Sequence, residues 1–349
     1  MRRFVPVIFL MAAACSRGPS GVTPYLREPF PKKLSEWHLF TPDGKPATGV
    51  IPYDLNSPLF SDYASKSRTI WMPPGQAARY DPMKTFQFPL GTVVTKSFSF
   101  DGRVIETRLL VNTADGWIPL PYVWNAARTE ALLEIAPDAQ RIAYRHRSGE
   151  LLDIDYVIPN SNQCKNCHEN AKANQPIGLR ARHLNREFTY PDGTQANQLD
   201  YWTKLGYLTG APADGRAAPR LAVWNDVATG TLEERARAYL DINCAHCHNP
   251  DGPGNTSGLN LSAFQNDMVA LGECKTPVAA GRGSGNLRFA ILPGRPEESI
   301  VVHRMASVEP KVMMPELGRS AVHREGLALV REWIAGMKGS CEAGKLGRP

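Results

Sequence analysis

Outside its first fifteen residues the chain has no apolar run near the 18 residues that a membrane-spanning helix needs. Its N-terminal half carries no phosphate-cradling glycine loop, no catalytic carboxylate pair and no metal-ligand cluster; Asp54, Asp62 and Glu106 are scattered, as loop and strand-end carboxylates are. Charge of one sign is also short. The 40 basic and 34 acidic side chains leave +6, and +4 once Arg2 and Arg3 are set aside. That is too weak and dispersed for a nucleic-acid surface, and fits at most a mild steering of an acidic partner. Glycine and proline, 29 of each, follow no period, which excludes collagen-like and low-complexity chains and predicts many turns and long loops. At 42% hydrophobic, 349 residues are enough for two or three folded domains. Cysteine is scarce, at seven, and the positions of those seven carry most of the chemical information in the chain.

Met1-Arg2-Arg3 is a short basic start, and Phe4 to Ala14 is an apolar run ending in Ala12-Ala13-Ala14. As a helix it would rise only about 17 Å, short of the ~30 Å hydrocarbon core, so it reads as a secretory signal. Cys15 comes directly after it, and the arrangement resembles a bacterial lipobox, with Ala12 where such signals usually carry Leu. The resemblance implies a signal peptide over residues 1–15 ending at a lipidated Cys15, export to the periplasmic side, and, with Ser16 next, a lipid anchor in the outer membrane. Plain secretion with cleavage nearby is the alternative.

Cys164-Lys165-Asn166-Cys167-His168 and Cys244-Ala245-His246-Cys247-His248 both match C-x-x-C-H, the signature of covalent haem attachment. Two thiols one turn apart can form thioethers with the two vinyl groups of one porphyrin edge, and the adjacent His becomes the proximal iron ligand. Zinc ribbons place their C-x-x-C pairs much closer together and need no His after each pair, and a thioredoxin-type dithiol needs a βαβ context missing here. The expected cofactors are two haems c, held by Cys164, Cys167, Cys244 and Cys247, with His168 and His248 as axial ligands. His246, between the two Cys of its motif, reads as a surface residue pointing away from the iron.

Thr231 is a helix N-cap with Glu233 and Glu234 in the first turn, and Leu232, Ala236, Tyr239 and Leu240 share a face leading into Cys244. Ser320 can cap a second helix running to Met337. The pair resembles the crossing first and last helices of cytochrome c, with Trp333 at the crossing. Lys311-Val312-Met313-Met314-Pro315-Glu316-Leu317-Gly318 contains a Met-Pro-x-Leu-Gly pattern that resembles the distal-ligand loop of many monohaem cytochrome c domains, which implies Met314 as sixth ligand of the second haem. Met313, His303 and His323 are the competitors, and Arg295 or Arg304 is a candidate propionate partner. The remaining Cys274 and Cys341 are disulfide candidates in an oxidising compartment.

No Met lies between His168 and Thr231, and the only His there is His183, the default distal ligand of the first haem. Met72, Met83, His38 and His146 are the alternatives, or a vacant sixth position. With His183 bound, the first haem is bis-His and the second His/Met, and electrons run from the first to the second, because Met ligation raises the potential.

From Gly91 to Ile158 the sequence alternates strands with turns. Val93 to Phe100 and Arg103 to Val111 flank Asp101-Gly102, a hairpin signal, and Asp115-Gly116 and Ser148-Gly149 mark further turns between Trp117 to Trp124, Ile142 to His146 and Leu151 to Ile158. The pattern predicts an antiparallel sheet or sandwich, with Leu26 to Pro89 expected to wrap it in loops. Pro52-Tyr53-Asp54-Leu55-Asn56-Ser57-Pro58-Leu59-Phe60-Ser61-Asp62-Tyr63-Ala64, Glu106-Thr107-Arg108-Leu109-Leu110, Gln163 and Asn197-Gln198-Leu199 resemble a little-characterised family of exported bacterial dihaem c-type cytochromes. The resemblance implies architecture and haem count, and a co-secreted parallel β-helix protein as a partner.

The expectation is therefore multidomain: a mainly antiparallel β module over 22–160, followed by mainly α cytochrome c-type haem domains, a first haem segment over 161–227 and a second domain over 228–349. The expected function is single-electron transfer between redox partner proteins. A haem enzyme of peroxidase or oxidase type, using an open position at the first haem, is the rival.

Overall fold

The computed structural model describes residues 21–278 and 280–341; the signal segment and Cys15 lie outside the described residues. Along the first half come β1 (Ile51–Tyr53), β2 (Ser65–Trp71), β3 (Ala78–Arg79), β4 (Val93–Phe100), β5 (Arg103–Thr113), β6 (Gly116–Trp124), β7 (Ala131–Leu133), β8 (Asp138–Arg145) and β9 (Leu151–Ile158). Six of them form one antiparallel sheet in the order β1-β2-β4-β5-β6-β7, and β8 and β9 form a separate hairpin. Asp101 and Gly102 both take positive φ, 47° and 77°, the geometry that joins β4 to β5 through a two-residue turn. The stretch Leu26 to Pro89 is not all loop: β2 pairs with β4 along its whole length. Its inward positions include Lys66 and Arg68, so alternation there does not look like a half-buried strand.

Both faces of the sheet are covered. Trp71, Val93, Leu109, Leu120 and Tyr122 pack on one side against Leu34 and Trp37, whose indole donates to the Tyr122 hydroxyl at 2.7 Å. On the other side Ile70, Val94 and Leu110 share a core with Leu179, Leu184, Trp202 and Ile242 from the second half of the chain.

That second half contains α1 (Ser161–His168), β10 (Glu169–Asn170), β11 (Ala173–Asn174), α2 (Ala181–Leu184), β12 (Glu187–Thr189), β13 (Gln195–Asn197), α3 (Gln198–Lys204), β14 (Leu208–Thr209), α4 (Leu232–Asn243), α5 (Met268–Leu271), α6 (Ile300–Ala306) and α7 (Arg324–Gly336). The mainly α cytochrome c-type domains expected here do not form. The protein is sheet-rich, 25% strand against 23% helix; among the described residues there are seven helices, of which α4 and α7 alone exceed eight residues. Glycine and proline interrupt the chain before longer helices can propagate. Residues 161–227 are instead crossed by two small hairpins, and β14 pairs in parallel with β3. No helix among the described residues is long and apolar enough to cross a membrane.

The two long helices pack on each other, with Tyr239, Leu240, Leu327, Val330, Trp333 and Ile334 in one apolar cluster. Thr231 caps α4, its hydroxyl accepting from the Glu234 amide at 3.2 Å while Glu234 reaches back to the Thr231 amide at 2.7 Å. Ser320 does not cap α7. The Asp62 carboxylate takes the Ser320 and Ala321 amides at 2.8 and 2.7 Å, and the helix starts four residues later. Gly326 lies where the helices touch, and a Cβ there would sit 2.3 Å from the Tyr239 ring. Gly326→Ala gains about 1 kcal/mol of helix propensity but forces the ring aside at a cost of about 1–3 kcal/mol. Net destabilisation in urea unfolding is expected; a stabilised variant would show that the crossing has slack.

Candidate functional site

The first motif occupies the last turns of α1, which Asn160 and Gln163 cap reciprocally, side chain to amide, at 3.0 and 3.1 Å. The second begins where α4 ends, with Cys244 as its C-cap. The motifs are 76 residues apart in sequence, yet they face one another. Asn170 donates to the Asn249 side chain at 3.1 Å, the Ala171 amide to the Asp251 carbonyl at 2.8 Å, and Cys247 Sγ to the Asn166 carbonyl at 3.8 Å. Ligand atoms of Cys167, His246 and Cys247 all lie within 4.8 Å of one another. His246 therefore does not point away from the chemistry: it sits between the motifs, and its buried Nδ1 has no partner among the described residues.

Each motif histidine has one ring nitrogen tied down. His168 Nδ1 donates to the Gln175 carbonyl at 2.8 Å, which leaves the Nε2 lone pair available. His248 Nδ1 shares a hydrogen bond with Ser257 Oγ at 3.0 Å. Carbonyls and hydroxyls in this role orient an imidazole for a metal on its other nitrogen. Burial disfavours the imidazolium of both and brings each to about 4, so both rings are neutral at pH 7. Burial also pushes the Cys164 thiol up to about 11 and Cys244 up to about 12. Cys167 goes the other way: its hydrogen bond with Cys247 outweighs burial, with His246 and His168 helping, and holds it well below the usual thiol range.

A cavity of about 1000 Å³ opens beside the second motif, at the upper end of the roughly 300–1,000 Å³ range for ligand pockets. Cys244, Cys247, His248, Leu261, Arg304 and Met314 line it, and so does Cys167 of the first motif. Met313, His303 and His323 are not among its lining residues. His323 is instead hydrogen-bonded to Tyr239 at 3.0 Å and stacked on Phe60. Arg304 lies at the cavity, whereas Arg295 pairs with Glu298. The Met314 loop is pinned by Arg319, buried and unremarkable in the sequence, which donates to the Met314, Arg304, Ser307 and Ala321 carbonyls. Cys274 and Cys341 form a disulfide with Cα atoms 5.3 Å apart.

The first motif has the donors without the volume. His168 and His183 line one small cavity of about 30 Å³, room for a water-sized molecule. His183 is buried, its Nε2 lies 2.9 Å from Asp241 Oδ1, and its Nδ1 has no partner among the described residues. Burial keeps the ring neutral against the pull of Asp241, so Nε2 carries the proton toward the carboxylate and the Nδ1 lone pair is unused. Asp241 also accepts from Arg182 through both oxygens, at 3.0 and 3.1 Å, and from the Ala263 amide. Burial raises its pKa, but the His183 hydrogen bond and the Arg182 charge outweigh it, and the carboxylate is held far below its ordinary range. The other distal candidates are engaged elsewhere: Met72 in the core, Met83 exposed, His38 on Thr23, His146 on Glu325. Asp241 is not legible as a site residue in the sequence; its only signal is an acid interrupting the apolar stripe of α4.

The donor set suits a haem at the second motif on every count: two adjacent thiols, an imidazole with a free oriented nitrogen, and a thioether lining the same apolar cavity. At the first motif the thiols and two imidazoles suit it, while the cavity beside them, about 30 Å³, is smaller than a porphyrin. The chain matches no known protein family, no curated protein and no solved structure.

Proposed function

We propose that the protein is a dihaem c-type cytochrome that passes single electrons between redox partners on the exported side of the membrane. The observation that carries this is the cavity with Cys244, Cys247 and His248 on its wall and Met314 also facing in. A haem c supplies a one-electron iron couple whose potential depends on its axial ligands. Cys164, Cys167, Cys244 and Cys247 would hold the two groups, with His168 and His183 as donors at the first and His248 and Met314 at the second. The face-to-face motifs favour transfer between the two centres, and the mostly apolar cavity wall offers the second a low-polarity surround. The Cys274–Cys341 disulfide supports an oxidising compartment. Lipidation at Cys15 and a partner such as a co-secreted β-helix protein belong to the same reading.

Alkaline pyridine spectra of the purified protein are expected to give two haems c per chain, falling to one in Cys244→Ala/Cys247→Ala. In Met314→Ala the methionine-to-ferric-iron charge-transfer band is expected to vanish while both haems stay attached. Zinc at one per chain with no haem would overturn the reading and assign Cys167, His246 and Cys247 to that ion.

A second reading, a haem enzyme, is favoured by the water-sized cavity shared by His168 and His183. Cyanide binding to the resting protein at the first haem would select it; low-spin six-coordinate spectra at both haems, unmoved by cyanide, select electron transfer.

A further inference from the structure

The sheet face turned toward the haem segments carries charge where a core face should carry none. Arg68, Lys96 and Arg108 stand directly opposite one another on β2, β4 and β5. They share the side of the sheet that buries Ile70, Val94 and Leu110. Lys66 lies one pair along, opposite Phe98 and Glu106. Like charges in direct register on adjacent strands repel, and the repulsion is larger here because Arg68 is buried and Lys66, Lys96 and Arg108 are half-buried.

The carboxylates nearby, Asp54, Glu106 and Asp62, do not balance them, and Asp62 is also engaged by the Ser320 and Ala321 amides. Asp54 takes Arg68 at 2.5 Å with one oxygen and Arg186 at 3.2 Å with the other. Glu106, fully buried, holds Arg108 through both oxygens and also accepts from the Tyr156 hydroxyl at 2.6 Å. Lys66 donates only to the Ala64 carbonyl, and Lys96 has no hydrogen bond or ion pair among the described residues. Arg68 is 4% exposed, and its buried Nη2 has no partner among them either. Phe98 offers its ring to Lys66, Lys96 and Arg108 at 5.9, 5.0 and 4.3 Å, but one ring at about 0.5–2 kcal/mol per contact does not supply the missing charge. Burial and the surrounding cations depress Lys96 strongly. The cluster adjoins the first motif, since α1, which carries that motif, packs on β6, the strand beside β5.

We propose that Arg68, Lys96 and Arg108, with Lys66, form an oxyanion site on the inner face of the sheet that takes a carboxylate or phosphate group. Arg68 Nη2 and Lys96 Nζ are its free donors, and the anion supplies the charge that the protein leaves out. Two sources share this chemistry: a propionate of the haem on Cys164 and Cys167, which rests on the cytochrome reading, and a soluble carboxylate or phosphate, which does not.

Calorimetric titration of the intact protein with inorganic phosphate, beside a redox titration and resonance Raman spectra, separates them. For a soluble anion, wild type binds one phosphate per chain, Lys96→Gln weakens it at least tenfold and Lys96→Arg restores it, whether or not haem is present. For a propionate, wild type binds no phosphate, while Lys96→Gln lowers the midpoint potential of the first haem and shifts its propionate-bending band, and Lys96→Arg reverses both. Absence of phosphate binding together with an unmoved potential and an unmoved band overturns the proposal. Two haems per chain with that null result leaves the cytochrome reading standing alone.

Discussion

Asp241→Ala is expected to remove about 3–5 kcal/mol of folding stability, the usual cost of stripping one partner from a buried charge pair. The magnitude reflects the groups that the carboxylate holds. Arg182 is 3% exposed, and without Asp241 its guanidinium keeps, among the described residues, the Met83 carbonyl and the Phe264 ring. The Ala263 amide loses its acceptor, and His183 loses the group that fixes its tautomer. A hydrophobic replacement of both charges avoids the stranded cation, so Arg182→Met/Asp241→Leu is expected to cost less than Asp241→Ala alone. Urea unfolding of the two variants decides this. A single variant within 1 kcal/mol of wild type would mean that water reaches Arg182.

Trp333→Ala is expected to cost a similar 3–5 kcal/mol, here through a cavity. Trp333 is 4% exposed on α7, amid the apolar cluster that α4, α6 and α7 share. The vacated volume lies next to the helix that delivers Cys244, so the second site should loosen with it. Unfolding measured by tryptophan-independent far-UV dichroism gives the energy. On the cytochrome reading, the methionine charge-transfer band, tracked in the same variant, is expected to weaken before global unfolding. A loss below 1 kcal/mol would show that the helices close over the gap.

The features legible in the sequence are local. Cys and His at fixed spacing reveal the two motifs, Asp101-Gly102 a hairpin, Thr231 with Glu234 a cap, and two leftover cysteines a disulfide, because each is a short-range pattern with a short-range cause. The expected helical domains over-extend α4 and α7, the two segments whose periodicity is real; much of the chain between them is loop. Lys66, Arg68, Lys96 and Arg108 stand at alternate positions with Ile70, Val94 and Leu110, so their inward direction is written in the pattern. A cation on a strand is ordinarily solvated, and only the packing of the second half over that face shows that Arg68 is buried and the other three are half-covered. The meeting of Cys167 with Cys247, and of Ser320 with Asp62, depends on contacts between distant segments that no local pattern encodes.

Asp241 and Cys244 are three residues apart on α4 and at its end. One serves His183 and the other faces the large cavity, so a single stretch of less than one helical turn belongs to both centres. An inserted or deleted residue between them would turn everything beyond it by about 100° and shift it by about 1.5 Å. Arg182 and His183 would then lose their carboxylate, or the cavity its thiol. The length of this segment therefore sets the phase between the Asp241 cluster and the cavity wall.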